Sequence, residues 1–297
     1  MNVVWLKRDL RMHDHAPLFK ASLRTPLLVM YVFEPQRISE PDYGANHHAF
    51  ISESLLELRT ELRTLNIPLV FFVSEVTEVL DALQSHFNTF ELHSHIEIGG
   101  AWTYHRDKQV KRWCTENGMN WTEYPVFEVL RPNPTRDDWS KRWQEGVLQP
   151  RYPIPHPQPE PLMECSFPHQ VFDPPSVQDL NLEEGAPERQ RGGRKAGIAL
   201  WRSFLQTRGH QYRREMSSPV TAFKSCSRLS PHLAWGTMSI REVYRVATHA
   251  QASSDISKTQ RQSLESFISR LHWRGHFMQK LEDQVAIEHN CMHPMFE

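Results

Sequence analysis

Between Asn2 and Leu130 the chain repeatedly alternates short runs of β-branched and aromatic residues with longer segments of helical spacing. The runs are Asn2–Leu6 (NVVWL), Pro26–Phe33 (PLLVMYVF), Pro68–Val73 (PLVFFV), Thr89–Ile96 (TFELHSHI) and Asn120–Leu130 (NWTEYPVFEVL). Their length and composition point to strands, the first two buried. The intervening segments are His13–Leu23, opening at Asp14, then Ala49–Ile67, Glu75–Phe87 and Ala101–Asn117. In Ala49–Ile67 the apolar residues Phe50, Leu55, Leu58, Leu62 and Leu65 recur at three- to five-residue intervals, the stripe of an amphipathic helix. Parallel strands need a crossover between them, so this alternation predicts an α/β fold with a parallel sheet covered on both sides. Ligands of such sheets sit beyond the strand carboxyl ends. No GxGxxG follows the first run, so an ordinary dinucleotide site is not expected there.

The texture changes after residue 130. Nine of the 21 prolines fall between Pro150 and Pro175. Proline removes a backbone donor and fixes φ, so an extended connector, neither helix nor sheet, is expected. A charged stretch and the GGRK of Gly192–Lys195 follow; without P-loop spacing, GGRK reads as a flexible entry to the next unit. From Lys195 onward the spacing is helical throughout: Gly197–Tyr212, Ser239–Gln251 and Lys258–Asp283. The expected organisation is an α/β domain over 1–130, a proline-rich linker over 131–194 and an all-α unit over 195–297.

Bulk properties exclude several classes. Lys plus Arg (34) nearly balance Asp plus Glu (35), which argues against a chain coated uniformly for nucleic acid but leaves room for a local basic patch. Neither a signal peptide nor a membrane-length apolar run is present, so a cytoplasmic protein is expected. Cys114, Cys165, Cys226 and Cys291 are widely spread and read as reduced thiols. The 17 histidines show no ligand spacing, so no metal site is expected.

The most unusual short stretch is Ser225–Ser239, SCSRLSPHLAWGTMS. Hydroxyls and free amides ahead of a helix suit an anion such as a phosphate. The same residues also suit plain capping, with Ser230 as N-cap and Pro231 in the first turn.

Three stretches together resemble the photolyase and cryptochrome family: VVWLKRDLRMHDHAPL (Val3–Leu18), SRLSPHLAWGTMSIREVY (Ser227–Tyr244) and SFISRLHWRGHFMQKL (Ser266–Leu281), in the family's order. The resemblance covers essentially the whole chain. It implies an antenna-type α/β domain, a linker and the start of a helical FAD-binding domain, so that this chain corresponds to the N-terminal part of a longer member. It implies FAD contacts from Tyr212 and from Cys226, Ser227, Arg228, Leu229 and Ser230. It makes Trp273 and Arg274 the catalytic pair facing a flipped base, with His272, His276 and Gln279 beside them. Arg213 and Arg214 are candidates for phosphates of FAD or DNA, or for a solvated pair. Arg8, Asp9 and Arg11 read as a structural ion-pair loop tying the first domain to the linker. A second, antenna chromophore of folate or deazaflavin type is implied, with His47, His48, Glu53 and Glu97 as candidate contacts.

The implied activity is blue-light-driven, FAD-dependent DNA repair by a monomeric flavoprotein, a deoxyribodipyrimidine photo-lyase acting on a pyrimidine lesion. Two alternatives stay open: a cryptochrome-type photoreceptor, and a fragment that binds no flavin. Two departures bear on this. Arg270 stands where a lesion-contacting Glu is expected, and Cys226 stands where the phosphate segment ordinarily has Thr.

Overall fold

The computed structural model describes residues 1–129, 131, 138–160 and 166–296. Cys165, Leu130 and parts of the expected linker lie outside the described residues. Six strands form one sheet: β1 (Asn2–Leu6), β2 (Leu27–Phe33), β3 (Leu69–Val73), β4 (Glu91–His95), β5 (Asn120–Tyr124) and β6 (Gln170–Val171). Their order is β5-β4-β1-β2-β3-β6. All pairs are parallel except β3 with β6. Every residue of β1 and β2 is buried, as strands covered on both faces require.

The period-2 alternation assigns the faces. Val3, Trp5, Leu28 and Met30 pack with Val79, Leu80 and Leu83 of α4 (Val76–Phe87) and with Val110 and Trp113 of α5 (Ala101–Glu116). Val4, Leu6, Val29 and Tyr31 face the other way. They meet Leu18 of the six-residue helix Ala16–Ala21 (α1), and Ile51, Leu55, Leu58 and Leu62 of the helix Ala45–Arg63 (α3). A four-residue turn of helix, Pro35–Ile38 (α2), follows β2. α1 begins one residue later than expected. Asp14 has φ +52, which ends its service as a helix opener, and His15 is the cap, its Nδ1 accepting from Leu18 N at 3.1 Å. The last parallel strand ends at Tyr124, not Leu130.

The span read as linker holds two elements the sequence reading missed. Trp139–Leu148 (α6) is a helix, and Trp139, Trp143 and Val147 on one of its faces are buried in a third apolar cluster. β6 adds an antiparallel edge strand, so the connector joins the sheet. The proline-rich stretch is itself tethered: Gln158 N donates to Leu65 O (2.8 Å), His156 N to Ser22 Oγ (2.8 Å) and Tyr152 N to Asp14 Oδ1 (3.0 Å). Nor does GGRK form a loose entry. Gly192 N and Gly193 N donate to Glu53 Oε2 (2.7 Å) and Ser54 Oγ (2.8 Å) of α3, and Lys195 N donates to Glu57 Oε1 (2.9 Å). Gly193 has φ +89, and a Cβ at Gly192 would fall on the Phe50 carbonyl, so both positions need glycine.

The rest is helical: α7 (Arg194–Gln206), α8 (Tyr212–Glu215), α9 (Ala222–Ser225), α10 (Ser230–Ala234), α11 (Ile240–Ala252) and α12 (Lys258–Asp283). Trp201 and Phe204 of α7, Val243 and Ala247 of α11, and Leu264, Phe267 and Leu271 of α12 complete the third cluster with α6. No helix among the described residues is long and apolar enough to cross a membrane.

Candidate functional site

The sheet order reverses at β1. The chain moves from β1 through β2 to β3, then crosses back to place β4 on the other side of β1. Loops leaving β1 and β4 therefore part, and a crevice opens at their carboxyl ends, where doubly wound sheets bind ligands. A cavity of about 590 Å³ lies there. Its floor is made by residues at or just beyond the ends of β1, β4 and β5, including Asp9, His95 and Tyr124; Met238, Arg274 and Met278 of the helical unit form the other wall. That volume suits a drug-sized organic molecule.

The segment after β1 does two jobs. It binds the halves together: Leu10 N donates to Trp235 O (3.0 Å) and Arg11 Nη1 to Gly236 O (2.9 Å). The Asp14 carboxylate accepts from Tyr152 N, from Ser239 Oγ and from Arg241 (3.4 Å), so it joins loop, connector and α11. The segment also orders the cavity floor. Asp9 Oδ1 accepts from Lys7 N (2.8 Å), His95 Nδ1 lies 2.7 Å from Asp9 Oδ2, and His15 Nε2 lies 2.9 Å from the same oxygen. Burial would raise the Asp9 pKa, but His15 and His95 outweigh it and hold the carboxyl well below its ordinary range. Burial pulls His95 down to about 4, so its imidazole is neutral at pH 7.

These three side chains are the group among the described residues that converges as metal ligands would. The hydrogen bonds tell against that use. His15 Nδ1 accepts the Leu18 amide, which puts the ring proton on Nε2, the atom a metal would need. The arrangement is a carboxylate gathering N–H donors.

Beside it, Arg106 Nη atoms bond Glu34 (3.1 Å), Glu97 (2.7 Å) and Asp107 (2.7 Å). One guanidinium serves three carboxylates unequally. Burial pushes Glu34 up to about 7, whereas at Glu97 burial is overcome by Arg106, Arg8 and Lys7, which hold it at about 2.

The residues expected to hold FAD lie elsewhere, on the helical unit. Tyr212 is buried against Phe204 and Phe267, and Cys226 and Arg270 are electrostatic neighbours of its hydroxyl. Arg208 donates to the carbonyls of Leu200 (2.9 Å), Cys226 and Ser227 (3.3 Å), setting the shape of the segment that leads to α10. Arg228 has φ +61 and lays its guanidinium over Phe223 at 4.2 Å. Leu229 is buried, Ser230 is exposed, and Ser227 Oγ accepts from Leu229 N (3.4 Å). Arg208 and Arg228 are electrostatic neighbours of Cys226, as Arg270 is of Tyr212. Ser230 is not an N-cap: Leu229 occupies that position and α10 has only five residues. A helix that short supplies little macrodipole, so any phosphate bound here would rely on the arginines and hydroxyls.

Trp273 and Arg274 are not brought together. Neighbours on a helix diverge by about 100°. Trp273 is 47% exposed and packs with Phe277 (5.8 Å between centroids) and His276 (5.6 Å) on the outer face of α12. Arg274 points into the cavity wall, bonded to Glu128 Oε1 (2.5 Å) and Leu233 O (3.0 Å). His272 bonds Ser140 Oγ (3.1 Å) and packs on Trp139 and Trp143, while Gln279 is buried and donates to Asp283. Arg213 pairs with Glu265 in solvent (3.3 Å).

Among the antenna candidates, Glu53 is taken up by Arg189, Arg191 and Gly192, and His48 by Tyr43 and Pro175 O. His47 stands near Trp235, and Glu97 lines the cavity. Sequence reasoning missed the roles of His95, Arg208 and Glu128. The one available signal for His95 was its place as the last residue of a strand in a parallel sheet.

Comparison with known proteins agrees with this architecture. The DNA photolyase family profile matches residues 2–138. A deoxyribodipyrimidine photo-lyase of Halobacterium salinarum is 26% identical over 95% of this chain and 61% of its own length. A cryptochrome DASH of Gloeobacter violaceus is 25% identical over 93% and 58%. A Synechocystis cryptochrome structure superposes with TM-score 0.76 at 19% identity, covering 95% of this chain and 61% of that one. An archaeal photolyase of Sulfolobus tokodaii, solved with two FAD molecules, superposes with TM-score 0.70 at 21% identity, covering 100% and 63%. The chain spans about three fifths of the length of these relatives. The strand order, the sequence motifs and the relatives agree: residues 2–138 match the DNA photolyase family, and the chain as a whole is similar to photolyases and cryptochromes.

Proposed function

We propose that this chain carries the antenna-type domain and the phosphate-holding part of the FAD site of a blue-light flavoprotein that repairs pyrimidine photoproducts in DNA. The observation that carries the reading is that Arg208 holds the Cys226 and Ser227 carbonyls, with Arg228 next along the chain, in the segment that leads to the exposed Ser230 hydroxyl. A dinucleotide diphosphate needs such a surface: fixed guanidinium groups and hydroxyl donors around an anion. FAD, when bound, supplies the light absorption and the one-electron chemistry. The chain's own contribution is to hold the diphosphate and, through Trp273 and Phe277 on the outer face of α12, to offer flat apolar surface to a base taken out of the duplex.

The 590 Å³ cavity at the sheet's carboxyl edge is the place for the second, antenna chromophore. The Sulfolobus photolyase, with its two FAD molecules, supports room for two such groups in a fold of this kind.

A specific observation favours the photoreceptor reading as well. Arg270, exposed on α12 one turn before Trp273, is a cation where a lesion-contacting carboxylate is expected.

The test has two stages. FAD is dialysed against the purified chain and against the S227A/S230A variant, and visible flavin absorption is read. Retained flavin that is at least tenfold weaker in the variant is expected. The FAD-bearing protein is then illuminated with an oligonucleotide carrying a cyclobutane dimer or a 6-4 photoproduct. Loss of the lesion only in light supports repair; bound flavin with intact lesions supports the photoreceptor. Absence of flavin at high FAD concentration would sink both.

A further inference from the structure

The Asp9–His95 pair at the cavity floor has the geometry of an oriented base. Asp9 is fixed by the Lys7 amide, and both His15 and His95 stand against its Oδ2. His95 comes from the end of β4, 86 residues from Asp9 in sequence, and is brought to it because β4 pairs with β1. With Nδ1 committed to Asp9, the neutral imidazole keeps its lone pair on Nε2. That nitrogen makes no hydrogen bond among the described residues, and His95 lines the cavity.

A carboxylate behind an imidazole sets the tautomer and strengthens the far nitrogen as an acceptor. The surrounding charges do not compete for Nε2. Lys7 Nζ bonds Asp107, Arg11 bonds the backbone carbonyls of His13, Asp14 and Gly236, and Asp14 is held by Ser239, Tyr152 and Arg241.

We infer that His95 Nε2 is the acceptor that selects the cavity's ligand, an aromatic heterocycle that donates a ring lactam or imide N–H. This rests on the antenna reading of the cavity and deepens it. Flavins, deazaflavins and pterins all carry such an N–H, so the shared group, not the ring system, is what His95 reads. Removing that donor from the ligand leaves a buried acceptor unpaired, a loss that costs more than a missing apolar contact.

The experiment titrates riboflavin and N3-methylriboflavin into the full chain purified free of chromophore, following flavin fluorescence. Neither probe carries a phosphate, so the diphosphate site contributes nothing. Native protein is expected to bind riboflavin at least tenfold more tightly than its N3-methyl analogue, and H95F to bind the two alike. Equal binding of both by native protein, or discrimination that survives in H95F, overturns the inference. ¹⁵N spectra of histidine-labelled native protein at pH 7 provide a test needing neither ligand nor variant. A bare Nε2 with protonated Nδ1 at His95 upholds the acceptor, and a proton on Nε2 overturns it. If neither flavin binds, the antenna reading fails, and the acceptor role is then decided by those spectra alone.

Discussion

Asp14 illustrates how much one side chain decides here. Its backbone sits at φ +52, a region that Asn and Asp visit more readily than other non-glycine residues, and its carboxylate holds Tyr152, Ser239 and Arg241. Asp14→Ala leaves Arg241 and a buried hydroxyl without their acceptor and adds backbone strain. We expect a loss of about 2–4 kcal/mol, read as a lower urea midpoint with unchanged slope. Asp14→Asn keeps one acceptor oxygen and tolerates the backbone, so it should lose less than half as much.

The buried histidines make a second residue-scale prediction. Burial lowers both His95 and His232 to about 4, from an ordinary value of 6.5. The unfolded chain then binds more protons than the folded one between those values, so stability is full above pH 6.5 and falls as pH drops toward 4. His232→Phe should flatten that fall by on the order of 1–3 kcal/mol across the window, measured by urea unfolding at half-unit intervals. The apolar ring loses only one hydrogen bond, to Thr237 (2.8 Å). Nothing in the sequence marks the burial of either histidine, because it comes from distant segments.

At the scale of elements, α6 and α12 meet through Gly275. A Cβ there would lie 2.7 Å from Trp143 Nε1 and 3.2 Å from Trp139 Cζ2. Gly to Ala in an exposed helix interior stabilises by about 1 kcal/mol. Overpacking costs about 1–3 kcal/mol, so steric crowding should win. Gly275→Ala is expected to lower the melting temperature; a rise would show that α6 is free to shift.

The helix α6 was legible in principle. Trp139, Trp143 and Val147 recur every four residues, but the prolines that follow obscured the pattern. The edge strand β6 was not legible, since two residues carry no periodicity and only the open edge of β3 recruits them. By contrast α12 runs over the Lys258–Asp283 span read from spacing alone, because its apolar stripe is long enough to dominate.

For the whole molecule, one carboxylate gathers the end of the connector, from Arg189 to Gly192. Glu53 accepts from Arg189 (2.7 Å), Arg191 (2.9 Å) and the Gly192 amide (2.7 Å). Burial opposes its charge, but these partners hold its pKa at about 2. Glu53→Ala should release this stretch without unfolding either core. Limited trypsin digestion should then cut after Arg189 or Arg191 about tenfold faster than in the native chain, with the melting temperature changed by a few degrees at most. Equal rates would mean that the Ser54 and Glu57 contacts suffice.

What the amino-acid order determined by itself was everything set by local geometry. Side chains alternate along a strand and recur every 3.6 residues on a helix, so the parallel α/β sheet, the helical second unit and the family motifs could be read from neighbours in sequence. What only the tertiary structure decided was convergence. His95 reaches Asp9 because β4 returns to the flank of β1, Arg274 is fixed in the cavity wall because Glu128, 146 residues away, receives it, and the cavity exists because the helical unit closes over the strand ends. Those outcomes depend on contacts between residues tens to hundreds of positions apart, whose free energies no local pattern encodes.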